Sequence, residues 1–132
     1  MEAISAYFKN DPRIVAAYLF GSRAKNKARP DSDWDLAVLL KPEVSEAEYL
    51  SLRLSCMAGL EKDIKEDIDI VILNEAGAVL RHQVLSTGKL IWGADPKALV
   101  RFKARTWIDY MDWQPYQARL DRSVMNFFRK IA

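Results

Sequence analysis

Two short runs of the chain, Asp33 to Leu39 and Asp67 to Leu73, set aspartates at alternate positions among apolar residues. In an extended strand, residues i and i+2 point to one face with Cα atoms roughly 6.6 Å apart. Asp33 and Asp35 therefore share a face opposite Trp34, Leu36 and Val38, and Asp67 and Asp69 share one opposite Ile68, Ile70 and Ile72. Both apolar faces need a core, so both strands must be embedded in the fold. If they are neighbours with their polar ends level, three or four carboxylates converge. Aspartate is depleted in strands, and two carboxylates about 6 Å apart repel by roughly 3 kcal/mol at an effective dielectric of 20. A divalent cation between them is the economical explanation, and oxygen-only ligands favour Mg2+ or Mn2+ over Zn2+. The other reading makes these aspartates strand-end turn formers or solvent-facing positions of a half-exposed sheet. It suits one Asp-x-Asp better than two.

The rest of the chain supplies a frame for those strands. Ile14 to Phe20 is an apolar run of strand length that stops at Gly21. Helical patterns cover residues 2–9, 45–60 and 75–86, the second opened by a Ser45/Glu48 capping box and the third closed by Gly88. A short strand or extension is expected over Lys89–Trp92, and a short helix from Ser22 to about Ala28. Asp95 and Pro96 mark the N-cap and first position of a final helical segment, which Pro115 interrupts, so two helices or one broken helix are expected there. This alternation predicts an α+β fold, α/β-like in order: a small mixed sheet of three to four strands flanked by helices. At 132 residues there is room for one core, so residues 1–94 are expected to form the domain and 95–132 a helical extension packed on it or on a partner.

Composition excludes several classes. One cysteine, Cys56, and one histidine, His82, rule out an internal disulfide and a Cys- or His-clustered metal site, and fit a reducing cytoplasm. No stretch approaches the ~18–20 apolar residues of a membrane span, and the N-terminus lacks the pattern of a secretory signal. Cys56 is expected in the core, and His82 as a structural or partner contact rather than a base. Of 20 basic and 18 acidic residues, eight and three fall in 97–132, together with seven aromatics. That tail suits a packed helix first, with a protein or nucleic-acid surface as alternatives.

Gly21-Ser22 follows the first strand directly and precedes Arg23, Lys25, Lys27 and Arg29. Glycine permits close backbone approach, free N–H groups at a helix start attract phosphate, and the basic residues add charge. Ten residues separate Ser22 from Asp33. With that spacing, Leu19-Phe20-Gly21-Ser22-Arg23-Ala24 followed by Ser32-Asp33-Trp34-Asp35-Leu36 resembles the signature of the minimal nucleotidyltransferase (MNT) family, within the DNA polymerase β-like nucleotidyltransferases. Ile68-Asp69-Ile70-Val71 matches that family's later carboxylate strand, and Leu80-Arg81-His82 to Gly88-Lys89-Leu90 is similar to MNT proteins encoded beside HEPT-domain partners. The resemblance spans roughly residues 14–92. Where members often have Arg-Gly after the Gly-Ser-Arg-Ala stretch, this chain has Lys25-Asn26.

The resemblance implies a nucleotidyltransferase fold in which Asp33, Asp35 and Asp69 are catalytic and hold Mg2+ (or Mn2+). Gly21, Ser22, Arg23 and Lys25 would contact the nucleotide phosphates, with Lys27 and Arg29 as further candidates and Asp67 behind the ligating set. It implies ATP as substrate and a HEPT-domain toxin as partner, AMPylated on a tyrosine and so silenced. The alternatives are an antitoxin that acts by binding alone, and a nucleotidyltransferase acting on a small molecule or RNA.

Overall fold

The computed structural model describes residues 2–21, 23–24 and 33–131. The elements are α1 (Glu2–Lys9), β1 (Ile14–Phe20), β2 (Trp34–Leu40), a 3-10 turn (Glu46–Glu48), α2 (Tyr49–Ile64), β3 (Ile68–Ile72), α3 (Ala78–Thr87), β4 (Lys89–Gly93) and α4 (Pro96–Ile131). The four strands form one mixed sheet in the order β3-β2-β1-β4. β1 pairs antiparallel with β2 and β4, whereas β2 and β3 run parallel, joined through α2. A parallel pair needs such a crossover, since no tight turn can return the chain to the same end of the sheet.

Both faces of the sheet are covered. On one, Leu36, Val38, Leu40, Ile68, Ile70 and Ile72 pack with Ile4 and Phe8 of α1 and Leu52, Cys56 and Leu60 of α2. On the other, Tyr18, Ala37 and Leu39 pack with Val84 of α3 and Leu99 of α4. Between Ile14 and Ala16 the β1–β2 register slips, and the extra residue puts Val15 and Ala16 in the second cluster together. Cys56 is a buried free thiol whose titration burial pushes upward, as a core position requires.

Several local expectations hold, with small shifts. The Glu48 carboxylate accepts from the Ser45 N–H at 3.3 Å, and that turn leads into α2. α3 starts three residues later than its pattern suggests, because the chain first turns at Glu75 and Ala76, whose N–H groups donate to Ile72 and Leu73. Asp95 Oδ1 accepts from the backbone N–H groups of Lys97 and Ala98 at 3.1 and 3.2 Å, an N-cap on α4. Asp95→Ala is expected to lower stability by about 1 kcal/mol, read as a fall in denaturant midpoint at constant m-value.

Pro115 is a correction. It does not divide the final segment: α4 is one helix of 36 residues with Pro115 inside it. Proline removes the hydrogen bond to residue i−4 and crowds that carbonyl, which bends a helix without having to end it; the residue here is Met111, which is exposed, so water can satisfy the freed carbonyl. The first turns of α4 pack on the domain through Leu99, Phe102 and the buried Thr106. Beyond Met111 its large apolar side chains are mostly exposed.

Candidate active site

Phe20 is the register partner of Asp35 on one side of β2, and Asp69 is its partner on the other. Neighbouring strands lie about 4.8 Å apart and paired residues share a face, so Asp35 and Asp69 project side by side. Asp33 is exposed and sits one residue before β2. Burial raises the Asp35 carboxyl above the usual carboxylate range, and the charges of Asp69 and then Asp33 push it further the same way. The three aspartates of the sequence pattern are thus electrostatic neighbours at one end of the β2–β3 pair. Asp67 is different: it is exposed, precedes β3, and contributes its backbone carbonyl to the Trp34 N–H at 2.9 Å.

Gly21 ends β1 directly beside this group. Its φ is +73°, and a Cβ there would run into Asp35 Oδ2, with Asp35 Cγ at 3.1 Å. The glycine is required twice, for the left-handed backbone and for the close approach to the carboxylate. Ser22, Lys25, Lys27 and Arg29 lie outside the described residues.

Three contacts at the site are not visible in the sequence pattern. Arg53 of α2 reaches Asp69, Nη2 to Oδ1, at 3.2 Å. Arg23 lies over the Trp34 ring at 4.4 Å and pairs with Glu66 at 3.1 Å. The Trp34 indole N–H also donates to Glu66. A phosphate drawn to Arg23 would therefore compete with Glu66. No spacing rule links Arg53 to Asp69 or Arg23 to Glu66, since each pair spans separate elements. His82 packs between α3 and α4, stacked on Tyr110 at 3.7 Å and edge-on to Trp107, beside an Arg81–Asp109 ion pair of 3.0 Å. It is a structural contact, as its sequence setting suggested.

Among the described residues, no three Asp, Glu, His or Cys side chains are drawn together tightly enough to cage an ion by themselves. The donor chemistry still fits Mg2+, which usually takes one or two carboxylates plus substrate phosphates rather than an all-protein cage. The mutual repulsion already acting on Asp35 is what a cation would relieve. A cavity of about 440 Å3, lined by Leu40, Lys41, Asn74, Asp95, Arg101 and Phe102 among others, lies at the far end of β2 from Asp35. It holds no comparable cluster of carboxylates.

Comparison with known proteins identifies the family. Residues 2–97 match the family model described as polymerase beta, nucleotidyltransferase. The chain is 33% identical over 84 residues to the protein adenylyltransferase MntA of Shewanella oneidensis, a match covering 64% of this chain and 58% of that protein. It is 26% identical over 125 residues to MntA of Aphanizomenon flos-aquae, covering 90% and 83%. A crystal structure of a toxin–antitoxin with AMP-PNP superposes with a TM-score of 0.79 at 28% identity, over 94% of this chain and 97% of the other. A tri-AMPylated Shewanella oneidensis HEPN toxin in complex with MNT antitoxin gives 0.70 at 26% identity, over the same 94% and 97%. With its glycine turn, its aligned aspartates and a family match over most of its length, the chain belongs to the polymerase β nucleotidyltransferase family.

Proposed function

We propose that this chain is a Mg2+-dependent (or Mn2+-dependent) protein adenylyltransferase and the antitoxin of a toxin–antitoxin pair, transferring AMP from ATP to a tyrosine of a HepT-type (HEPN) toxin in the cytoplasm. The observation that carries the reading is the alignment of Asp35 with Asp69 beside the Gly21 turn. The similarity to MntA proteins and to their toxin complexes supports it. No described helix is long and apolar enough to cross a membrane.

In this reaction the tyrosine oxygen attacks the α-phosphorus, the new P–O bond forms as the α–β bond breaks, and pyrophosphate leaves. Such transfer rests on positioning and charge neutralisation. Held by Asp33 and Asp35 together with the substrate's phosphates, an ion would neutralise triphosphate charge. Gly21 and Ser22 would present backbone N–H groups to the departing phosphates, with Arg23 and Lys25 adding charge. Asp69 would complete the ligand set or take the phenol proton. The test incubates the purified chain with labelled ATP, Mg2+ and the product of its genomic neighbour, then locates the added mass by mass spectrometry. Label on a toxin tyrosine is the expected result. A toxin that stays unmodified yet inactive would instead favour neutralisation by binding alone.

The binding-only reading has one observation in its favour, the outer half of α4. Residues 1–94 serve as the catalytic domain in this proposal, and 95–132 as an arm whose far half meets the toxin. Tyr116, Leu120, Val124, Phe127 and Phe128 are exposed at helical spacing. Arg119, Arg122, Arg129 and Lys130 flank them, which favours an acidic-rimmed partner over a second copy of the same cationic helix. Leu120→Glu with Phe127→Glu is expected to weaken toxin binding by at least roughly 30-fold in calorimetry. The melting temperature of the free chain should not move, because neither side chain is buried.

A further inference from the structure

Arg53 is an unexpected neighbour for the aspartates. α2 lies on the sheet through Leu52, Cys56 and Leu60, and Arg53, next to Leu52, is carried to the edge strand β3. There its Nη2 donates to Asp69 Oδ1 at 3.2 Å, while its Nε is buried without a hydrogen-bond partner. A buried unsatisfied donor is a cost, although the ion pair itself is open to solvent, with the Arg53 side chain 39% and the Asp69 side chain 50% exposed. What the guanidinium offsets is charge. Asp69 is aligned with Asp35, and Asp33 lies close by.

We infer that Arg53 is a positioning residue that substitutes for the divalent cation, pinning Asp69 beside Asp35 before the ion arrives and weakening the binding of the ion alone. This rests on the nucleotidyltransferase reading and deepens it. A fixed positive charge next to a ligating carboxylate opposes a free cation. The triphosphate brings negative charge that offsets this opposition. Ion and ATP therefore bind together better than either does alone, and the ion is not retained between turnovers.

The test is a Mn2+ titration followed by electron paramagnetic resonance on the full chain without nucleotide or toxin. Arg53→Gln is expected to bind Mn2+ roughly three- to tenfold more tightly than the wild type. Arg53→Met, which keeps the apolar stem, carries the same expectation, and Arg53→Lys, which keeps the charge, should stay within about twofold. With ATP and toxin present, Arg53→Gln should need less Mn2+ for half-maximal AMPylation while its kcat falls, because Asp69 is no longer held. Equal or weaker Mn2+ binding by folded Arg53→Gln and Arg53→Met would overturn the inference, as would no Mn2+ binding by any form. The titration contains no ATP, so a wild type that binds Mn2+ yet transfers no AMP would sink the enzyme reading and leave this result standing.

Discussion

With Asp33 and Asp35 both replaced by Asn, AMP transfer to the toxin is expected to fall by at least about 10^3-fold while the chain stays folded. Asn preserves size but carries no charge to hold a cation against a triphosphate. The fold should tolerate the change, because ionised Asp35 opposes it. Its carboxyl is raised first by burial and then by the charges of Asp69 and Asp33. A group whose folded pKa lies above its unfolded value, 3.8 for an ordinary aspartate, favours the fold at low pH. That contribution is lost as pH rises through the raised folded value. Asp35→Asn should therefore melt higher than wild type near pH 7, and the gap should narrow toward pH 4. Transfer within tenfold of wild type would remove this pair from the reaction. A variant less stable than wild type at pH 7 would contradict the electrostatic account of Asp35.

Gly21→Ala is expected to lower stability by about 1–3 kcal/mol and to cut transfer by roughly 10- to 100-fold. Two costs add. At φ +73° an L-residue is strained, and the new Cβ would meet Asp35 Oδ2, Cγ and Cβ together. The first cost is purely backbone, whereas the second depends on the Asp35 side chain. A double-mutant cycle separates them: in an Asp35→Ala background, Gly21→Ala should cost measurably less stability. Equal costs in both backgrounds would mean that the turn and the carboxylate are not in contact.

Much of the scaffold was legible because its signals are local. β1 and β2 appear as apolar runs of strand length, β3 as strict alternation, and α4 opens on the Asp95-Pro96 pair as its capping chemistry demands. The same local logic failed at Pro115, where the loss of one hydrogen bond and a crowded carbonyl were read as an interruption of the helix. On an exposed stretch that loss is satisfied by solvent, and the bonds on either side carry the helix through. Asp67, which the resemblance set behind the ligating carboxylates, lies exposed one residue before β3, where its carbonyl accepts from the Trp34 N–H. Glu66 and Trp34 as partners of Arg23 had no sequence signal, since they meet only when β2 and β3 lie adjacent.

The chain by itself determined which carboxylates share a face and which glycine must precede them, because the two-residue period of a strand and the steric needs of a left-handed turn are properties of neighbouring residues. Whether Asp35 and Asp69 stand side by side was decided only by the parallel pairing of β2 with β3 and its register. The cation beside Asp69 was also decided there, since Arg53 reaches it from α2 packed across the sheet. Contacts between distant segments depend on how helices and strands stack, and no periodicity along the chain records that.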